Sequence, residues 1–207
     1  AFARQDLDEV VAEVDEPIDR SRETKRGGES AIGNFVADAY RWVADAAVGL
    51  QNTNGVRAGP PLSGEITVAD MISLVPFDEP VAVAAVSGET LQTILAQGEG
   101  SRMPEIGDYW HAQVSGVTVE RGENVRVWVG EEPLDPERTY TLATTNYLFH
   151  SPYEFPALTE ADRIDRLDVQ YEVLAAYARE CGVNPTTDGR VREPEETFRC
   201  DDIERGK

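Results

Sequence analysis

The sequence predicts an α+β fold, layered, with a mixed sheet and packed helices. Two observations carry that expectation. Segments of helical and strand periodicity follow one another without the regular βαβ alternation of a doubly wound sheet. One segment, Val81 to Ser87, is too apolar for a half-exposed strand and reads as a strand covered on both faces. With 207 residues the chain is long enough to bury one substantial core.

The elements follow in order. In "ESAIGNFVADAYRWVADAA", Ile32, Phe35, Val36, Ala39 and Val43 recur at helical spacing behind Ser30, a residue suited to N-capping. "GEITVADMISL" places Thr67 three residues before Asp70, which predicts a short capped helix ending near Leu74, ahead of Pro76. Phe77 then opens a loop. After the 81–87 strand, "SGETLQTILAQG" carries Leu91, Ile94 and Leu95 on one side and stops at Gly98. Three strands are expected in "YWHAQVSGVTVERG", "NVRVWVG" and "TYTLATTNYLF". A last long helix is expected over Ile164 to Glu180, with Val169, Val173, Leu174 and Tyr177 on one face, and the residues beyond it as loop and tail.

Composition bounds the function. There are 39 acidic residues against 19 basic ones, and only Lys25 and Lys207 are lysines, so 17 of the bases are arginine. A net charge of −20 argues against a general nucleic-acid or anionic-membrane surface, since phosphate backbones need basic stripes. The carboxylate-rich, lysine-poor balance fits a protein adapted to high salt. No apolar run approaches a membrane span, and "AFARQDLDEVV" does not read as a signal peptide. Cys181 and Cys200 are close enough along the chain to form a bridge, and two cysteines alone argue against structural zinc. With two histidines, His111 in a strand pattern and His150 in a loop, the chain offers no recognisable catalytic or metal constellation.

Read together, "ESAIGNFVADA", "NTNGVR", "GEITVADMISLVPFDEPV", "TNYLF" followed by "FPAL", and "GVNPTTDGRV" resemble the C-terminal, substrate-recognition domain of the 5'-nucleotidase family. Each motif is weak alone; five in the same order are specific. The resemblance implies residues 1–25 as an acidic leader, 26–196 as the domain and 197–207 as a tail. It implies a nucleotide or nucleoside ligand, with an upstream metallophosphoesterase domain holding two divalent metals and no cofactor in this chain. Phe77 resembles one of two rings that clamp the base, and Tyr147 stands at the place of the other. Asn52 and Arg57 match the Asn and Arg of the family's Asn-Gly-Gly-Gly-Ile-Arg turn, which contact ribose and phosphate. Arg26 is the nearest arginine before Glu29, where the family has one closer. Tyr153 stands where the family has a ribose-binding aspartate, with Glu154 its neighbour, and "HSPYEF" replaces a glycine-rich loop.

The function expected is nucleotide recognition for a 5'-nucleotidase-like phosphoester hydrolase at the cell surface or outside the cell, without catalysis by this chain alone. The alternative is a stand-alone binding or interaction module whose nucleoside site has degenerated. A self-sufficient hydrolase ranks last for want of metal ligands.

Overall fold

A computed structural model of the chain describes residues 6–193 other than 103, 104, 106 and 123. In chain order its elements are β1 (Val10–Ile18), α1 (Arg22–Arg26), α2 (Ala31–Ala44), β2 (Val48–Asn52), β3 (Leu62–Thr67), α3 (Val68–Leu74), β4 (Pro80–Ser87), α4 (Gly88–Ala96), β5 (Ala112–Ser115), β6 (Val117–Glu120), β7 (Arg126–Val129), β8 (Glu132–Pro133), β9 (Thr139–Thr145), β10 (Arg163–Val169), α5 (Gln170–Cys181) and β11 (Val191–Arg192). The expected α+β architecture is what these elements build.

A five-stranded sheet in the order β10-β4-β9-β2-β5 forms the middle layer. Only β2 and β9 run parallel; the other neighbours are antiparallel. Strand alternation divides its residues between two cores. Val81 and Ala143 join Ile32, Phe35, Tyr40, Met71, Tyr171 and Leu174 under α2, α3 and α5. Ala82, Ala84, Leu50 and Leu142 join Leu91, Ile94, Trp110 and Val119 under α4 and a four-stranded sheet, β11-β6-β7-β8. β4 is therefore covered on both faces, as its unbroken apolar run requires.

Local signals set the helices. Ser30 Oγ accepts from Gly33 N at 3.1 Å, capping α2. At α3, Thr67 N donates to Asp70 Oδ2 at 2.8 Å and Asp70 N to Thr67 Oγ1 at 3.3 Å, a reciprocal capping box. The α2 motif also explains the motif at the far end of the chain. Glu29 accepts from the backbone N–H groups of Asp188 and Gly189 at 2.8 and 2.9 Å, and Asn34 Nδ2 donates to Thr186 O at 2.8 Å. Asp38 then takes Arg190 through both carboxylate oxygens, at 2.7 and 3.0 Å. "ESAIGNFVAD" and "TTDGR" are thus two halves of one clamp.

Five expectations need correction or extension. The helix expected over 164–180 is β10 followed by α5. The 163–169 segment pairs antiparallel with β4 as the outermost strand of the sheet, and Ile164 is left 61% exposed. The single strand expected in "YWHAQVSGVTVERG" breaks at Gly116, whose φ of 75° is left-handed, so that β5 and β6 enter different sheets. The strand expected to run to Phe149 ends at Thr145 and gives way to a 3-10 turn, Asn146–Phe149. Beyond α5, the residues expected as loop include β11, which pairs in parallel with β6. Within residues 1–25, β1 pairs with β3 and places Val11, Val14 and Ile18 in the first core. Cys181 is exposed at the end of α5; Cys200 and the expected tail, 197–207, lie outside the described residues.

Candidate functional site

The parallel pair sets where a ligand has room. The C-terminal ends of β2 and β9, at Asn52 and Thr145, open on the same edge of the sheet as the start of β4, at Pro80. The loops leaving this edge surround a cleft of about 500 Å³. Gln51, Asn52, Asn54, Gly55 and Arg57 line it from β2 and its turn, Phe77 and Glu79 from the loop before β4. Thr145, Tyr147 and Glu154 line it from β9 and the loop that follows, and Gln170 from the start of α5.

The turn after β2 is pinned from behind. Thr53 N donates to His111 O at 2.6 Å, and Asn54 Nδ2 donates to Tyr109 Oη at 2.6 Å. A Cβ at Gly55 would collide with Gln51 Nε2 and Asn52 Oδ1, so glycine is what leaves both amides their places. Arg57 leaves this turn with its N–H on Leu74 O at 2.8 Å and its Nη1 on Asn54 O at 3.0 Å. Its guanidinium carbon lies 4.8 Å from the centroid of the Phe77 ring. Such a pairing is worth ~0.5–1 kcal/mol at an exposed site and orients the cation.

Tyr147, 45% exposed, stands on the 3-10 turn that follows β9. Glu154 is 5% exposed and takes a hydrogen bond from Asn52 Nδ2 at 2.9 Å. Burial raises its pKa above the ordinary glutamate value, opposed by hydrogen bonds from Asn52 and Tyr147 and by the charge of Arg57. The loop turns this carboxylate inward by an unusual backbone: Phe155 has φ 53°, left-handed for a bulky residue, while its ring is fully buried in the second core. Also lining the cleft, Glu79 accepts at Oε2 from Asn146 Nδ2 at 3.2 Å. Gln170 Oε1 accepts from Tyr40 Oη at 2.6 Å. Gln51 is fully buried, and neither of its amide atoms has a hydrogen-bond partner among the described residues.

Of the residues singled out from the sequence, the fold brings Asn52, Arg57, Phe77 and Tyr147 into this one cleft. Arg26 and Tyr153 do not line it. Arg26 lies 4.2 Å from the Tyr109 ring centroid, behind the residue that holds Asn54. Tyr153 is 56% exposed, and its neighbour Glu154 is the residue that enters the cleft. Sequence reasoning does not reach Glu79, Gln51 and Gln170. The local signal for them is slight, a polar residue closing or opening a buried element, as Gln51 does at the end of "VGLQN". His111 is buried against Tyr109, and burial and then Arg26 push its pKa down to about 4. His150 is a surface residue, 3.3 Å from Glu160.

The family model described as "5'-nucleotidase, C-terminal domain" matches residues 10–160. The chain belongs to that family. It is 28% identical over 204 residues to the trifunctional nucleotide phosphoesterase protein YfkN of Bacillus subtilis, and 30% identical over 224 residues to the apyrase of Tabanus yao. Those matches take in 89% and 92% of this chain but 14% and 39% of the relatives, so the chain spans well under half of their length. Among solved structures, a 5'-nucleotidase precursor from Thermus thermophilus superposes with a TM-score of 0.75 at 28% identity, covering 91% of this chain and 40% of that one. The Thermus thermophilus sulfate thiohydrolase SoxB shares the fold at a TM-score of 0.67 and 23% identity, over 93% of this chain and 36% of that one.

Among the described residues, no three His, Cys, Asp or Glu side chains converge as a metal site, so the donors of a two-cation hydrolytic centre are not assembled there. Among the same residues no helix is long and apolar enough to cross a membrane.

Proposed function

We propose that the chain is the nucleotide-recognition part of a 5'-nucleotidase-like phosphoester hydrolase. The observation that carries this reading is the convergence of Phe77, Tyr147, Arg57 and Asn52, from three separate loops, on one cleft at the edge of the sheet. Phe77 and Tyr147 offer π-faces to a nucleobase, worth ~1–3 kcal/mol per base. Arg57 offers the planar fork that meets phosphate oxygens bidentately. Asn52 and Glu154 offer a donor and an acceptor side by side, the complement of a ribose hydroxyl. Glu154 takes the part assigned by resemblance to the position of Tyr153, because its carboxylate lines the cleft beside Asn52.

In this reading the chain supplies binding and orientation. Two divalent cations, and the water they activate, belong to a metallophosphoesterase domain outside this sequence. A cell-surface or extracellular place and a high-salt setting complete the proposal, resting on the family and on the net charge of −20. Titration of AMP and adenosine into the chain in a concentrated KCl solution tests it. Saturable binding weakened by both Phe77→Ala and Tyr147→Ala is expected, with no phosphate released from AMP whatever divalent metal is added. A chain that binds neither ligand is instead the stand-alone module with a degenerate site.

A further inference from the structure

Basic residues of this acidic chain gather around Lys25, behind the turn that carries Arg57. Against a net −20, Arg20, Arg22, Lys25, Arg26 and Arg57 stand close enough that all four arginines act on Lys25. Among the described residues none of the five forms an ion pair with a carboxylate. Arg20 directs its guanidinium to Pro60 O at 2.6 Å and Ser73 Oγ at 2.8 Å, and Asp70 is the acid whose charge reaches it. Arg26 Nε is buried with no hydrogen-bond partner among the described residues. In a chain of net charge −20, five neighbouring cations without an ion pair among the described residues are a feature that needs an explanation.

Lys25 lies at the centre of that group, in the last turn of α1, only 5% exposed. Its ammonium donates to the carbonyl of Val56, the residue that precedes Arg57. The turn carrying Arg57 is therefore held on one side by Leu74 O and Asn54 O and on the other by Lys25. The choice of side chain matters chemically. Seventeen of the 19 bases are arginine, which stays charged, whereas a buried lysine can release its proton.

We propose that Lys25 is a positioning residue for the anion end of the cleft, anchoring the Arg57 turn and adding a buried charge that favours a phosphate-bearing ligand over the same ligand without phosphate. This deepens the nucleotide-recognition reading and rests on it. Burial, then the charges of Arg57, Arg22, Arg26 and Arg20, bring the Lys25 pKa down to about 8. Those groups face it from α1, from the turn before α1 and from the turn after β2. An anion on Arg57 offsets part of that repulsion, so the bound state holds the Lys25 proton more tightly. Binding of AMP then takes up a fraction of a proton near the free pKa, and AMP affinity falls as pH rises through it. AMP is already a dianion across that range, since the second phosphate pKa is ~6, and adenosine carries no charge to be read.

The chain's two lysines make the test direct. Selective 13Cε-lysine labelling gives two resonances, from Lys25 and Lys207. In the free protein the Lys25 resonance is expected to titrate near 8, and saturating AMP should move that midpoint upward. Lys25→Met should cost AMP about tenfold in affinity and adenosine less than about twofold, with the pH dependence of AMP binding abolished. Lys25→Arg should keep the preference for AMP and lose the pH dependence, which a merely structural role would not predict. If AMP binds and the Lys25 midpoint stays put, or Lys25→Met weakens AMP and adenosine equally, the proposal is overturned. If neither nucleotide nor nucleoside binds, the recognition reading fails separately, and inorganic pyrophosphate decides the role of Lys25: a raised midpoint sustains it and an unchanged one ends it.

Discussion

Replacing Phe77 by alanine separates two things that its ring does at once. The ring is a stacking surface for a base, worth ~1–3 kcal/mol, and it is also the surface 4.8 Å beneath the guanidinium of Arg57, worth ~0.5–1 kcal/mol. Adenosine uses only the first, so Phe77→Ala should weaken it roughly five- to 150-fold. AMP uses both, because its phosphate depends on where Arg57 is held, and should lose a further factor of roughly two to five. Calorimetric titration of both ligands into the wild type and the variant, under identical salt, reads this difference directly. A matched Arg57→Met variant should weaken AMP and leave adenosine nearly unchanged. If Phe77→Ala alters neither ligand by more than about twofold, the ring is a core or loop filler and the stacking argument is wrong.

Other residues give independent outcomes. Glu154→Gln should weaken adenosine and AMP alike by about ten- to 100-fold if the carboxylate accepts ribose hydroxyls, since hydrogen bonds to charged groups are worth ~1.5–3 kcal/mol; 2'-deoxyadenosine should be affected less. Arg190→Ala breaks the two-oxygen pairing with Asp38 and should lower unfolding stability by about 1.5–3 kcal/mol in denaturant titrations, without changing AMP affinity. His111, with a folded pKa of about 4 against 6.5, should make stability pH-dependent. The unfolded chain binds the extra proton between those values, so stability is fully present above pH 6.5 and is lost as pH falls toward 4, by up to about 3 kcal/mol. His111→Phe should flatten that part of the acid limb in thermal melts.

What can be read from the chain follows the range of the forces involved. Ser30 and Thr67 declare α2 and α3 because caps act within a turn of helix, and the unbroken apolar run of β4 declares a strand covered on both sides. β10 escapes such reading because "RIDRLDV" spaces Ile164 and Leu167 as a helix would. Its actual partner is the backbone of β4, some 80 residues earlier, which no local pattern announces. The site divides in the same way. Asn52, Arg57, Phe77 and Tyr147 stand out by their places in the motifs that carry the family resemblance, and the fold brings them together. Tyr153 stands out by its place in the motif, yet the residue that enters the cleft is Glu154. That swap depends on Phe155 accepting a left-handed backbone so that its ring can reach the second core, a long-range packing gain that outweighs a local strain of ~1–3 kcal/mol.

The measurement that bears most directly on nucleotide recognition is a titration of AMP into the intact chain in concentrated KCl, with adenosine as competitor. Saturable binding of about one AMP per chain, displaced by adenosine, is the result expected of a cleft that stacks a base and holds a phosphate. The absence of saturable binding, or binding that adenosine cannot displace, would contradict the assignment of Phe77, Tyr147, Asn52 and Arg57 to a nucleotide.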